Sequence, residues 1–222
     1  MSFIQPISKK EESRFQFLFD VVKKSMGFVP NSMKTMAREP AILANFSLMT
    51  GTVMADPKKT SPLAMLKLIL KNMGWSAKYL KRRDRVPLYL RQLVAHVSSN
   101  ASGCRYCQAH TIEGALHQGA TQEQLNTVWD FENSDAFDDK EKAALRFGYA
   151  AGSIPNAVTE QHFTDLKKYF TEAQILELGT TVSVFGFLNR WNDTFGTTLE
   201  EQPKALAEKY LAQSGWEIGK HQ

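Results

Sequence analysis

Apolar residues recur at intervals of three and four along most of the chain, and few stretches alternate apolar with polar residues. The first interval is the period of an amphipathic α-helix, whereas alternation is the period of a strand. Prolines and glycines divide the periodic stretches, for example at Gly27, Pro40, Pro62, Pro87 and Gly119. Proline suits the first turn of a helix and glycine suits the position after its last turn. The pattern therefore predicts an all-α fold, a helical bundle.

A series of helices is indicated by this periodicity, and the last one is the weakest. They begin near Phe15, Asn31, Pro40, Pro62, Pro87, Cys104, Thr121, Lys140, Thr159, Glu172 and Lys204. The polar, acidic stretch 132–139 interrupts the periodicity and is predicted to be a loop. We expect one domain over residues 1–222, with a core at about 86–120 and a C-terminal helical half at about 138–195.

A faint internal repeat accompanies these helices. Gln92 precedes Cys104 and Cys107, and Glu177 precedes Asn189 and Asn192, in both cases by 12 and 15 residues. The shared interval favours two duplicated helical units packed about a pseudo-twofold axis. In that case only the first copy carries thiols.

Composition narrows the class of protein. The chain has 222 residues, 43% of them apolar, and a net charge of +4, which is ordinary for a soluble globular protein. No apolar run reaches the roughly 20 residues that span a bilayer, and the N-terminus lacks the apolar core of a secretory signal. The basic run 78–85 stands at a predicted helix end, where cations are stabilised, whereas a nucleic-acid surface would be longer and interleaved with aromatic residues or glycines. We expect a cytoplasmic protein with no membrane and no nucleic-acid partner.

The two cysteines, Cys104 and Cys107, form a C-x-x-C pair at a predicted helix start. Residues i and i+3 share one helix face, so their sulfurs can form a disulfide with little backbone movement. The free N–H groups of a first helical turn stabilise a thiolate. Structural disulfides are rare in the cytoplasm, so this pair indicates thiol redox chemistry.

Two histidines extend this centre. His110 follows Cys107 by three residues, and His96 lies late in the preceding helix, which must fold back beside the cysteines. Either imidazole has the pKa range for moving a proton at neutral pH, and either is equally compatible with a buried structural role. His221, by contrast, lies near the end of the sequence, where we expect a mobile tail. Zinc bound by two cysteines and two histidines is a weaker alternative, because no histidine pair of finger spacing follows the cysteines.

Beyond these residues the sequence resembles a known family. Residues 87–94 followed by 102–110 look like the core motif of the AhpD-like alkylhydroperoxidase family, also called the carboxymuconolactone decarboxylase family. Residues 27–31, 36–40, 142–147 and 187–192 are similar to its peroxidase-related branch. The resemblance covers roughly residues 15–195.

The resemblance implies a helical fold that assembles into dimers, trimers or hexamers, without haem, flavin or metal. It also implies reduction of a hydroperoxide by the C-x-x-C pair, which a dithiol protein or a small thiol then regenerates. Cys107 would attack the peroxide, and Cys104 would resolve the sulfenic acid to a disulfide. Cys104 would also be the more exposed sulfur.

The sequence departs from the family pattern at its proton relay. The family has a glutamate 12 residues before the first cysteine, where this chain has Gln92, and a histidine four residues after the second, where it has Thr111. A carboxamide cannot act as a base, so Gln92 can only orient a partner. We expect His96 and His110 to replace the relay.

Two further functions stay open at this stage. The same disulfide can serve a non-catalytic redox sensor or interaction module, and the family also contains lactone-decarboxylating lyases. Decarboxylating members generally do not depend on a C-x-x-C pair, which argues against lyase chemistry here. Aromatic residues of the C-terminal half suit an apolar substrate approach, a core or a subunit interface: Trp129, Phe131, Phe185, Phe187, Trp191 and Phe195.

Overall fold

The computed structural model describes residues 3–54 and 61–222, and every regular element within them is helical. The predicted all-α fold is therefore confirmed. The chain divides into two compact units, Met1–Asp84 and Arg85–Gln222. The predicted thiol core and the C-terminal helical half both lie in the second unit. That the two units constitute one domain stays a prediction.

The first unit contains five helices among its described residues. They are α1 (Lys9–Glu12), α2 (Gln16–Met26), α3 (Asn31–Met36), α4 (Pro40–Met54) and α5 (Pro62–Leu80), with a 3₁₀ turn at Ser13–Phe15. Gly27 ends α2 with a φ of 82°, a left-handed conformation that glycine adopts without strain. The apolar core of this unit includes Phe15, Phe19, Leu43 and Leu68.

The second unit carries the remaining helices of the described chain. They are α6 (Leu88–Ala101), α7 (Arg105–His117), α8 (Gln122–Thr127), α9 (Asp139–Gly152), α10 (Glu160–Tyr169), α11 (Glu172–Phe195) and α12 (Glu201–Tyr210). Short 3₁₀ turns occupy Val128–Asp130, Ala212–Ser214 and Gly219–His221. Helix α6 packs against α7, α9 and α11, and α12 packs against α7. The buried α6 therefore organises the unit around the cysteine helix α7.

A tight connection between α6 and α7 positions the cysteines. Gly103 adopts a φ of 80°, which reverses the chain direction after α6. The Ser102 hydroxyl donates hydrogen bonds to the carbonyls of Ser98 and Gly152, each at 2.9 Å. The Cys104 N–H then donates to the Ser99 carbonyl at 3.0 Å. This connection places Cys104 at the N-cap of α7.

The two stretches of the predicted internal repeat, 92–107 and 177–192, have different conformations. The first stretch breaks at Gly103 into two antiparallel helices, whereas Glu177, Asn189 and Asn192 all lie on the uninterrupted α11. The second stretch has no residue with a positive φ before Gly196. Equal spacing in sequence thus produces a hairpin in one stretch and one continuous helix in the other.

The C-terminal segment contradicts the expectation of a mobile tail around His221. Leu211, Trp216 and His221 are buried, with exposed fractions of 1%, 6% and 1%. The Leu199 N–H donates to the carbonyl of His221 at 2.8 Å, which ties the end of the chain to the turn after α11. Within the described ranges, 3–54 and 61–222, no helix is long and apolar enough to cross a membrane.

Candidate dithiol site

The two cysteines meet at the start of α7, as their spacing predicts. Cys104 is the N-cap residue and Cys107 lies in the first turn. The backbone N–H of Cys107 donates to Sγ of Cys104 at 3.5 Å. Both cysteines are free thiols. The pair therefore has the local geometry for thiol–disulfide exchange.

Hydrogen bonds distinguish the two sulfurs. Cys107 interacts with the Cys104 thiol, and its sulfur accepts a hydrogen bond from the Asn192 side-chain amide at 3.5 Å. Both interactions lower the pKa of Cys107, whereas burial raises it. The pKa of Cys104 is raised, because its thiol donates to Cys107 and because it is buried. The pKa of Cys107 is therefore lower than that of Cys104, so Cys107 is the sulfur that ionises first.

Neither sulfur is exposed, so the expectation of an exposed Cys104 is wrong. Cys104 is 0% exposed and Cys107 is 2% exposed. The C-terminal segment lies against this end of α7: the Trp216 indole N–H donates to the Arg105 carbonyl at 3.2 Å, and the rings of Tyr106 and His221 are 5.7 Å apart. The sequence did not indicate this cover, because the segment is remote from the cysteines along the chain.

Helix α11 supplies polar groups that sequence reasoning did not assign to the site. Asn192 donates to Cys107, and Asn189 accepts a hydrogen bond from the Ser99 hydroxyl at 3.0 Å. The sequence signal was the interval that these asparagines share with the cysteines. That interval marked residues of the site, although the two stretches that share it differ in conformation.

Asp193 and His221 also lie at the site. His221 Nδ1 donates to the Thr197 carbonyl at 2.8 Å, since a carbonyl oxygen only accepts, and Nε2 lies 3.2 Å from Asp193 Oδ1. The Lys220 ammonium is 3.7 Å from the same carboxylate oxygen. Three potential metal-ligand atoms lie within 4.8 Å of one another, one each from Cys104, Asp193 and His221. Among the residues that the structure describes, these three form a group that could hold a metal ion, whereas the weaker alternative set with His96 and His110 does not.

His110 lies three residues beyond Cys107 on α7, and its side chain is partly exposed. Its Nε2 donates to Glu200 Oε2 at 2.8 Å, and the Tyr106 hydroxyl donates to Glu200 Oε1 at 3.1 Å. The rings of Tyr106 and His110 lie 4.4 Å apart. Burial and the bond to Glu200 raise the pKa of Tyr106 to about 12. Burial disfavours the Glu200 carboxylate, but hydrogen bonds from its own backbone, His110 and Tyr106 outweigh burial and lower its pKa.

His96 is buried between α6 and α7, where its partners are not the sulfurs. Its Nδ1 lies 3.2 Å from both the Gln108 carbonyl and the Thr111 hydroxyl oxygen. That hydroxyl in turn donates to the Cys107 carbonyl at 2.7 Å. Burial lowers the pKa of His96 to about 4. His96 therefore contacts the backbone of the first turns of α7 and stays neutral near pH 7.

Gln92 lies farther along the same helix pair. A side-chain carbon added to Gly114 would come within 2.8 Å of the Gln92 carboxamide, so this side chain packs on the glycine backbone. Gly114 lies seven residues, about two turns, beyond Cys107 on α7. The structure thus brings Cys104 and Cys107 together and places His110 one turn beyond Cys107 on α7, whereas Gln92 contacts α7 about two turns beyond Cys107.

A known family shares the sequence around the cysteine helix. The sequence model of the carboxymuconolactone decarboxylase family matches residues 67–149, which contain α6, α7 and both cysteines. The resemblance to this family is confirmed. No curated protein sequence matches the chain significantly.

Solved structures share the fold over nearly the whole chain. The debrominase Bmp8 superimposes with a TM-score of 0.57 at 23% identity, covering 95% of this chain and 98% of its own. A cysteine-to-alanine variant of Bmp8 in complex with 2,3,4-tribromopyrrole gives a TM-score of 0.56 over the same shares. A peroxidase-related protein from Silicibacter sp. TM1040 gives 0.47 at 16% identity, over 89% and 90%. At these identities the likeness to Bmp8 shows the fold.

Proposed function

We propose that this protein is a dithiol reductase that reduces organic hydroperoxides, with Cys107 as the nucleophile and Cys104 as the resolving thiol. The observation that carries the proposal is the hydrogen bond that the Asn192 amide donates to Cys107 Sγ at 3.5 Å, next to Cys104 at the N-cap of the same helix. Hydrogen bonds to the charged form favour a thiolate, and the thiolate is the reactive form of cysteine. The resolving thiol stands in contact with it.

The chemistry needs two steps. The Cys107 thiolate attacks one peroxide oxygen, the O–O bond breaks, and the departing alkoxide takes a proton to leave as an alcohol. Sγ of Cys104 then attacks the resulting sulfenic acid, the S–S bond forms, and hydroxide leaves as water with the thiol proton. Overall, one hydroperoxide and two thiols give one alcohol, one water and one disulfide. A dithiol protein or a small thiol would restore the reduced pair by exchange.

Of the predicted relay, His110 is the residue to which we assign proton transfer to the alkoxide. It is partly exposed, adjoins Tyr106 between the cysteines, and is oriented by Glu200. His96 is neutral near pH 7 and holds the Gln108 carbonyl and Thr111, so we assign it a positioning role. Gln92 would support the same helix pair through Gly114.

Reductive debromination of an aromatic ring is the second candidate function. The fold is shared with a debrominase over 95% of this chain, and one of the Bmp8 structures holds 2,3,4-tribromopyrrole. The same dithiol satisfies the stoichiometry: one aryl bromide and two thiols give one arene, one hydrogen bromide and one disulfide. Both reactions take two electrons from the cysteine pair and differ in the bond that breaks.

Self-association into a homo-oligomer completes the proposal. Phe187, Trp191 and Phe195 lie at successive fourth positions of α11 and are 49%, 52% and 66% exposed. Neighbouring rings of this aromatic ridge are 5.9 and 4.8 Å apart. A contiguous exposed apolar surface is typical of an interaction site, and we assign it to a second copy of the chain, as the family resemblance implies.

Turnover assays distinguish the functions. The reduced protein is supplied with excess dithiothreitol and with either cumene hydroperoxide or a bromopyrrole, and loss of peroxide or release of bromide is followed. We expect peroxide turnover that Cys107→Ser abolishes. Bromide release without peroxide turnover would favour the debrominase. Stoichiometric oxidation without turnover would favour a redox sensor and would contradict the reductase proposal.

A further inference from the structure

The C-terminal segment brings a carboxylate and an imidazole to the resolving cysteine. Ligand atoms of Cys104, Asp193 and His221 lie within 4.8 Å of one another, and two of these residues, Cys104 and His221, are 0% and 1% exposed. The dithiol reaction as written above uses neither Asp193 nor His221. Their convergence on one sulfur therefore lacks an explanation in that reaction.

We propose that Cys104, Asp193 and His221 form a zinc-binding site that is occupied in the reduced protein. A thiolate, an imidazole nitrogen and a carboxylate oxygen are the three ligand types that zinc takes in proteins. Three protein ligands leave the fourth tetrahedral position for water or for an incoming molecule. Hard cations such as Mg²⁺ and Ca²⁺ prefer an all-oxygen set, which this site does not offer.

The spacing of two ligands fits a tetrahedral ion. Two ligand atoms that are each about 2.0–2.2 Å from one zinc ion lie roughly 3.3 Å apart in a tetrahedron. His221 Nε2 and Asp193 Oδ1 are 3.2 Å apart. The Cys104 sulfur lies within 4.8 Å of a ligand atom of each of the other two residues.

His221 is also oriented as a metal ligand would be. Its Nδ1 donates to the Thr197 carbonyl at 2.8 Å, which fixes the ring and directs Nε2 towards Asp193. Histidines that bind metals commonly donate their other ring N–H to a carbonyl or carboxylate in this way. The cation that zinc would displace is also present: the Lys220 ammonium lies 3.7 Å from Asp193 Oδ1.

The zinc site shares Cys104 with the proposed dithiol reaction, so the two states exclude each other. Zinc requires the Cys104 thiolate, whereas oxidation converts Cys104 and Cys107 into a disulfide that does not ligate zinc. Binding would therefore protect the resolving thiol, and oxidation by a hydroperoxide would release the ion. The zinc site follows from the positions of the three side chains and does not require peroxide turnover.

Cobalt binding to the reduced full-length protein tests the site without any substrate. Co²⁺ reports a thiolate ligand through its charge-transfer absorption, and displacement by Zn²⁺ gives the zinc affinity. We expect Asp193→Asn and His221→Ala each to weaken cobalt binding more than about tenfold, a loss seen even for outer partners of metal ligands. The matched controls Asp135→Asn and His117→Ala alter exposed residues and should bind cobalt as the native protein does.

X-ray absorption of the zinc-loaded native protein provides a second measurement that no variant can confound. One sulfur ligand together with imidazole scattering is the expected result. Two sulfur ligands without imidazole would mean simple chelation by the C-x-x-C pair and would overturn the proposal. It would equally be overturned if the Asp193 and His221 variants, shown by circular dichroism to be folded, bound cobalt as tightly as the native protein. Failure of peroxide turnover would leave these readouts unaffected.

Discussion

At the start of α7 the two cysteine thiols have pKa values shifted in opposite directions, and the shifts follow from their hydrogen-bond partners. Cys107 accepts hydrogen bonds from Cys104 and from Asn192, whereas Cys104 acts as the donor. Both sulfurs lie in a buried site near Asp193, whose charge opposes a thiolate at either position. The asymmetry of the pair therefore comes from directed hydrogen bonds.

Replacing Asn192 tests this asymmetry. Asn192→Leu removes the amide that donates to the Cys107 sulfur, so the thiolate loses a stabilising partner and its pKa rises. An ultraviolet thiolate titration should move to higher pH than in the native protein. Asn189→Leu is the matched control, because Asn189 lies one turn away on the same helix and contacts Ser99. Equal titration curves for native protein and Asn192→Leu would contradict the assignment.

His96 makes a separate prediction about stability. Its pKa is about 4 in the folded protein, against an ordinary value of 6.5, so between these pH values the unfolded chain binds more protons. The free energy of unfolding that depends on neutral His96 is fully present above pH 6.5. It decreases as the pH falls towards 4, by about 3 kcal/mol at most. Urea unfolding should show a shallower pH dependence for His96→Asn than for the native protein.

The control for this experiment is His117→Asn, which alters an exposed histidine at the end of α7. Its stability should follow the pH dependence of the native protein between pH 4 and 7. If His96→Asn and the native protein lost stability in parallel over that range, the buried neutral state of His96 would be refuted.

Among the helices, the boundaries that proline and glycine set were predictable. Pro40 and Pro62 begin α4 and α5, and Gly27 ends α2, because these residues act through local backbone constraints. The C-x-x-C pair at a helix start was predictable for the same reason. The uninterrupted α11, Glu172–Phe195, was predictable from its apolar periodicity, but the interval shared by asparagines and cysteines contains no information about the turn at Gly103.

A pair of glycine substitutions tests the role of that turn. Gly103 has a φ of 80°, so Gly103→Ala should cost about 1–2 kcal/mol of unfolding free energy. Gly186 lies inside α11 with open space where a side-chain carbon would stand, so Gly186→Ala should stabilise by about 0.5–1 kcal/mol. Urea titrations measure both changes. A neutral or stabilising Gly103→Ala would show that the connection does not require a left-handed residue.

Across the full chain, the site depends on segments that are distant in sequence. Asn192, Asp193 and His221 reach the cysteines only because α11 and the C-terminal segment pack beside α7. No local periodicity or motif specifies such packing, so the sequence could indicate the dithiol but not its cover. His221 was expected in a mobile tail because terminal polar residues usually lie there, and here tertiary contacts override that tendency.

The aromatic ridge on α11 gives the prediction for assembly. Trp191→Glu places a charge among Phe187 and Phe195, so it should shift the protein towards the monomer in sedimentation equilibrium. Trp129→Glu is the control, since Trp129 is comparably exposed at 44% but lies outside α11. A monomeric native protein, or equal effects of the two variants, would remove the ridge as a self-association surface.

The most direct test of the dithiol mechanism is mass spectrometry of the reduced protein after it has reacted with one equivalent of cumene hydroperoxide. Dimedone is present during the reaction to trap sulfenic acid. We expect an intramolecular disulfide between Cys104 and Cys107 in the native protein. We also expect a dimedone adduct on Cys107 in Cys104→Ser and no rapid adduct on Cys104 in Cys107→Ser. An adduct that forms fastest on Cys104, or thiols that react no faster than free cysteine, would contradict the mechanism.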